Sequence, residues 1–168
     1  MARVTVSDPL QPGYTYELLE PTGKNFAPGF EPELTPQDML ELGVFGGDYF
    51  EGEIDEYPLE WFENAQISTK GKRDAKLNRF GVNASQSRAI WQKNGWMHPE
   101  DPRGWFQWYC RYYLGRRNPV EDARQIDRWK KIVRHVVQVR NHCRKGDFTC
   151  RPRQRQALLH WAYDSRKI

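Results

Sequence analysis

The run Gly-Trp-Phe-Gln-Trp-Tyr-Cys-Arg-Tyr-Tyr-Leu-Gly at residues 104–115 constrains this chain more than any other feature. Helical spacing places Trp105, Trp108, Tyr109, Tyr112 and Tyr113 on one broad arc, leaving Gln107 and Arg111 as a narrow polar strip. A helix apolar nearly all round, yet only about a dozen residues long, is a central core helix and falls short of the ~20 residues of a membrane span. Asp101 followed by Pro102 reads as its cap and first position, which predicts a helix over 102–114. The rest of the chain must surround this element. Aromatic residues make up 14% of the chain against 38% hydrophobic in total, so they supply an unusual share of that core.

The flanking patterns are helical after residue 80. Helices are predicted near 84–94, 119–145 and 151–165 in addition to 102–114. Asn118-Pro119-Val120-Glu121 resembles a capping box at the start of the third, and Gly146 ends it. On that helix Trp129, Ile132, Val133, Val136, Val137, Val139 and Cys143 share one face, with Arg140 and Arg144 inside the apolar arc. Those two arginines must either snorkel out or meet a buried acid or bound anion. Before residue 80 the signals are sparser. Thr35-Pro36-Gln37-Asp38 opens a two-turn helix that Gly43 closes, residues 13–18 alternate as an edge strand or extended arm would, and residues 46–62 show no period and are expected to wrap. The fold class expected is mainly α: a compact helical domain with an extended, acidic N-terminal arm and a short β-strand.

Charge is sorted by position. Residues 1–66 hold fourteen Asp/Glu against two Lys/Arg, whereas residues 67–168 hold twenty-four Lys/Arg against eight Asp/Glu and six of the seven tryptophans. We read one domain with an acidic segment, 1–66, and a basic, aromatic-rich region, 67–168. A cationic half of this kind gains by displacing counterions from phosphates, which points to nucleic acid; the competing reading is that the acidic half folds back and neutralises it. The chain begins MARVTVSDPL, without the apolar run of a secretory signal, and its three cysteines lack a disulfide-framework spacing. Free thiols, a soluble chain and an intracellular location, cytoplasmic or nuclear, are expected, with no membrane partner.

Motifs for chemistry are few. There is no P-loop, nucleophile elbow or HExxH helix, so no cofactor is expected, and His142, Cys143, Cys150 and His160 match no paired zinc spacing. A loop carrying His98, Glu100, Asp101 and Arg103 has acid–base residue types, but helix capping explains its carboxylates. His160 and Asp164 read as a solvated i,i+4 pair. For phosphates the basic candidates are Lys70, Lys72, Arg73, Arg128, Lys131 and Arg134. On the helix near 84–94, Ile90 and Trp91 point inward and leave Ser85, Arg88 and Gln92 outward, Arg88 and Gln92 being suited to base edges.

Residues 80–99, FGVNASQSRAIWQKNGWMHP, resemble the recognition segment of excisionase and MerR-like helix-turn-helix families, with Gly81-Val82, Asn83, Trp91 and Gly95 in the matching roles. The resemblance implies a helix presented to the major groove. DPRGWFQWYCRYYLGRR, with DARQIDRWKK and CRPRQRQALLHWAYD, is similar to an uncharacterised family of soluble proteins and implies no activity. The function expected is nucleic-acid binding through a basic helical surface, DNA ahead of RNA. The alternatives are an enzyme on a nucleotide or phosphorylated small molecule, with Arg111, Arg116, Arg117 and Arg124 as anion clamps, and a self-neutralised scaffold or protein-interaction module.

Overall fold

The computed structural model describes residues 2–95 and 98–168; Trp96 and Met97, which close the helix-turn-helix-like segment, lie outside them. A short antiparallel ribbon opens the chain, β1 (Arg3–Thr5) against β2 (Thr15–Glu17), in the register Arg3 to Glu17, Val4 to Tyr16 and Thr5 to Thr15. Tyr16 turns into the protein while Thr15 and Glu17 face out, as the period-two pattern requires. From there to Leu34 the chain is irregular. It is tied along the central helix by main-chain bonds from Leu19 to Gly115 and from Gly23 to Tyr113, and the N-terminal segment buries Val6, Tyr16, Phe30 and Leu34.

Helix α1 (Pro36–Leu42) forms where local chemistry dictates it. The Thr35 hydroxyl accepts from the Asp38 amide and the Asp38 carboxylate accepts from the Thr35 amide, and Pro36 sits at the first position. Gly43 ends it at φ 103°, and a Cβ there would run into the Leu77 carbonyl oxygen, so glycine is what lets the 77–79 segment close against this corner. The acidic and aromatic stretch that follows wraps through tight turns and inserts Phe45, Tyr49, Phe50, Tyr57 and Trp61 into the core.

Helix α2 (Arg88–Lys93) is six residues long and capped by Ser87. The central helix α3 (Trp105–Leu114) starts later than predicted because Asp101 does not cap it. That carboxylate is buried against two arginines, and Gln107 accepts the Arg103 amide instead. Every residue of α3 but Tyr113 is buried. Phe30 sits among Trp108, Tyr109, Tyr112 and Trp129 at ring-centroid distances of 5.0–5.8 Å, mostly edge to face, the arrangement the ring quadrupoles favour.

The long helix predicted over 119–145 is two, α4 (Pro119–Lys131) and α5 (Val133–His142). Ile132 bonds back to Trp129, and His135 to Ile132, in tighter i to i−3 geometry that breaks the regular ladder between them. The apolar face is narrower than the wheel suggested. Val136 and Val139 are buried, but Val133 and Val137 are 49% and 48% exposed. The Asn118 side chain gives no cap; the Asp122 carboxylate takes the Asn118 amide. Helix α6 (Pro152–Leu159) stops short of 165 because Ala162 turns left-handed at φ 62° and hands its carbonyl to Glu33. A disulfide joins Cys143 to Cys150, so of the thiols expected to be free only Cys110 is, and the cysteines no longer speak for a reducing compartment. One hydrophobic cluster runs from Phe30 to Tyr163 through all these parts. Helices and one two-stranded ribbon carry the fold, interleaved with long irregular segments.

Candidate nucleic-acid interface

The arginines nearest the aromatic core are already matched by carboxylates from far along the chain. Arg103 donates to both oxygens of Asp8 at 2.6 and 3.0 Å. Arg111 holds Glu56 in the same forked way at 2.7 and 2.9 Å and reaches Asp101 at 3.1 Å, and Arg116 takes the other Asp101 oxygen at 2.7 Å. Burial alone would push the Asp8 carboxyl up, but the Arg103 hydrogen bond, the Leu10 amide and the nearby positive charges hold it below the usual aspartate range. Burial works against the charge on Arg111 and Arg116 as well. The carboxylates outweigh it, and both guanidiniums are held above their ordinary values.

This corrects the anion-clamp reading. Arg111 has its fork occupied by Glu56 and its third nitrogen on Asp101, and Arg116 is buried with one arm on Asp101 and the other on the Tyr14 hydroxyl. Arg124 is forked onto Glu121 at 2.6 and 2.9 Å. Arg117 lies 3.8 Å over the Tyr112 ring and donates to the carbonyls of Tyr112, Arg116, Lys24 and Asn25. None of the four offers a bidentate fork to an external anion. Nor do His160 and Asp164 form a solvated pair: the imidazole is buried, and Asp164 is forked onto Arg166 at 2.8 and 2.9 Å.

The other candidates separate into two places. Around α2, Arg88 is forked onto Glu51 at 2.7 and 3.3 Å, which holds that carboxyl below its usual range, and Ser85 accepts from Arg73. Arg73 also lies against the rings of Phe45 and Trp91, while Lys70 pairs with Asp74 at 3.0 Å. Lys72 and Gln92 are exposed. Ile90, expected to point inward, is 41% exposed, and only Trp91 of that pair packs against the core.

The second place is the surface of α4 to α6. Arg128 lies 5.4 Å from the Trp161 ring and donates to Gln125, and Lys131 makes an exposed pair with Asp127 at 2.9 Å. Arg134 is exposed, and so are Arg140, Arg144, Lys145, Arg151 and Arg153; among the described residues none of these six is in an ion pair. Residues 132–153 contain these six cations and one acid, Asp147, a net of +5. The Cys143–Cys150 bond closes the basic loop, and the Gln154 amide, reaching His135 at 2.9 Å and Gln138 at 2.6 Å, ties α6 to α5. Lys145, Arg151 and Arg153 escape a helical-wheel reading because they lie in the turn and at the next helix start. The density of basic residues between the two cysteines and beyond them was the available signal.

Among the described residues no helix is long and apolar enough to cross a membrane. Comparison with protein-family models, with curated proteins and with solved structures yields no match, so the surface is read from its own chemistry.

Proposed function

We propose that this protein binds nucleic acid through the cationic surface of α5, the 143–150 loop and the start of α6, using phosphate contacts, with duplex DNA ahead of RNA. One observation carries the reading. Asp8, Glu51 and Glu56 from the acidic segment are committed to Arg103, Arg88 and Arg111, away from Arg134, Arg140 and Arg144. Charge that has no internal partner focuses on polyanions and steers their approach. The reading places the protein in the compartments that hold nucleic acid, cytoplasmic or nuclear.

Helix α2 plays a lesser part in this proposal. A guanidinium forked onto Glu51 has to break that pair to read a guanine, so of the base-edge candidates Gln92 is the one left exposed. The test is a salt titration of a labelled duplex and of a single strand, with wild type, Arg88→Ala and the triple variant Arg134→Gln, Arg140→Gln, Arg144→Gln. On duplex DNA the triple variant is expected to flatten the log–log salt slope by about 0.9 for each phosphate it no longer neutralises, up to roughly 2.7. Arg88→Ala is expected to leave affinity nearly unchanged. Absence of binding at low salt, or a triple variant with the wild-type slope, refutes the proposal.

A further inference from the structure

Arg128 also borders a feature that the basic surface does not use. A partly open cavity of about 580 Å³ is lined by Phe45, Trp91, Trp105, Phe106 and Trp161, together with the imidazole of His160. Its size is within the range of small-molecule sites. The walls are fixed to one another. Trp105 and Trp161 stand 4.9 Å apart between centroids, the His160 ring stacks on Phe45 at 4.1 Å, and Trp91 meets Phe45 edge-on at 6.2 Å.

An aromatic pocket is usually suited to a cation, because ring faces are negative. Here the charge around it has the opposite sense. Arg128 lines the cavity over Trp161, and Arg73 lies 5.1 Å from the Trp91 ring while bonding Ser85 and the Gln86 carbonyl, both in the lining. No Asp or Glu is among the lining residues. An ammonium ligand would find its ring faces shared with two guanidiniums and no counter-charge. A flat ring bearing an anionic group would find faces to stack on and a guanidinium to meet.

The polar groups narrow the class. His160 Nε2 accepts from the Phe45 amide at 3.3 Å and meets the Gln156 amide at 3.0 Å, which puts the ring proton on Nδ1; that nitrogen is sealed from solvent, so the imidazole contributes wall to the cavity and no donor. Burial holds this imidazole neutral, with its pKa lowered to about 3. Ser85 accepts from Arg73 and keeps its own hydroxyl proton to donate, and the Gln86 side chain brings both a donor and an acceptor. Neutral donors and acceptors beside stacking faces suit the edge of a heterocycle, and Arg128 suits a phosphate.

We infer that this cavity binds a nucleoside monophosphate unit, its base stacked against an aromatic wall of the cavity and its phosphate on Arg128. The unit is either a free mononucleotide or the phosphorylated end of a strand. The site is separate from the phosphate surface proposed above.

The test is calorimetric titration of the intact protein with AMP, GMP, CMP and UMP, with adenosine, and with short oligonucleotides bearing a 5′-phosphate or a 5′-hydroxyl. Saturable binding of at least one monophosphate is expected, weaker by about tenfold or more without the phosphate or in Arg128→Gln, the loss typical of a charge-assisted hydrogen bond. Ala157→Leu, which fills the cavity from α6, is expected to abolish binding, and thermal melts of both variants establish that they fold. Preference for the 5′-phosphorylated oligonucleotide over the 5′-hydroxyl one identifies a strand end as the source, and binding of the monophosphate alone identifies a free nucleotide. The triple variant of the basic surface is expected to bind the monophosphate as wild type does, even if it loses duplex binding. No heat with any monophosphate up to millimolar concentration, or equal affinity in wild type, Arg128→Gln and Ala157→Leu, overturns the assignment.

Discussion

Replacing Asp101 by Asn tests whether the buried ion pairs are organised as described. The side chain is fully buried, with one oxygen 3.1 Å from Arg111 and the other 2.7 Å from Arg116. Arg111 survives the change well, because Glu56 still grips it at two points and the Glu100 carbonyl takes a third donor. Arg116 does not. It keeps only the Tyr14 hydroxyl at 3.2 Å and the face of Tyr16, and its Nε already lacks a partner among the described residues. Breaking a buried pair by removing one member leaves an uncompensated charge and costs about 3–5 kcal/mol. For a chain of this size that corresponds to a melting temperature lower by roughly 6–20 °C. Urea unfolding at neutral pH reads it as a fall in midpoint at constant slope. Adding Arg116→Met to Asp101→Asn removes the stranded charge and is expected to recover stability, with a coupling of at least about 1 kcal/mol. A single variant within about 1 kcal/mol of wild type, or two substitutions that simply add, would refute the picture of a dry interior network.

Two further outcomes follow from the same geometry. Cys143→Ser with Cys150→Ser opens a loop of seven-residue separation and is expected to lower stability by about 2.5 kcal/mol in the chain-entropy estimate, read by urea unfolding with and without reductant. Acidification is expected to destabilise the protein in two stages: His160, held at about 3 against 6.5 unfolded, contributes stability that is complete above pH 6.5 and is lost as pH falls, by up to about 1.4 kcal/mol per unit. Asp8, Glu51 and Glu121, all held below their usual values, add a second loss below about pH 4.5. His160→Gln should flatten the first stage only, and an unchanged profile between pH 7 and 5 would show that the imidazole is not held neutral.

How much of this was legible in the sequence depended on how local the cause was. The start of α1 could be read because Thr35, Pro36 and Asp38 act within one turn, and the burial of α3 because an arc of Trp and Tyr that broad has nowhere else to go. Asp101 before Pro102 looks the same whether its carboxylate caps the next turn or reaches Arg111 ten residues on, and only the tertiary approach of α3 decides. The break at Ile132 has no glycine or proline to announce it. The disulfide required α5 and α6 to be brought end to end, which a spacing of seven does not reveal. The aromatic cavity was hidden for a related reason: Phe45, Trp91, Trp105 and Trp161 come from four separate segments.

The same limit explains where charge was misjudged. A block of acids followed by a block of bases left open whether the acids fold back onto the bases, and the wheel could not say which arginines would be inward. In the folded chain Asp8 meets Arg103 across 95 positions and Glu56 meets Arg111 across 55, so part of the segregation in sequence becomes pairing in space. Such pairs bring little net stability against apolar replacements, because desolvation offsets attraction, but they fix which acid lies on which base. That choice has a consequence for the exterior. Each acid taken inward by Arg103 or Arg111 is one fewer to cover α5 and the 143–153 segment, whose exposed arginines and lysine are in no ion pair among the described residues. Neutralising Asp101 or Glu56 should therefore weaken folding while leaving the salt dependence of nucleic-acid binding intact, whereas the Arg134, Arg140 and Arg144 substitutions should do the reverse.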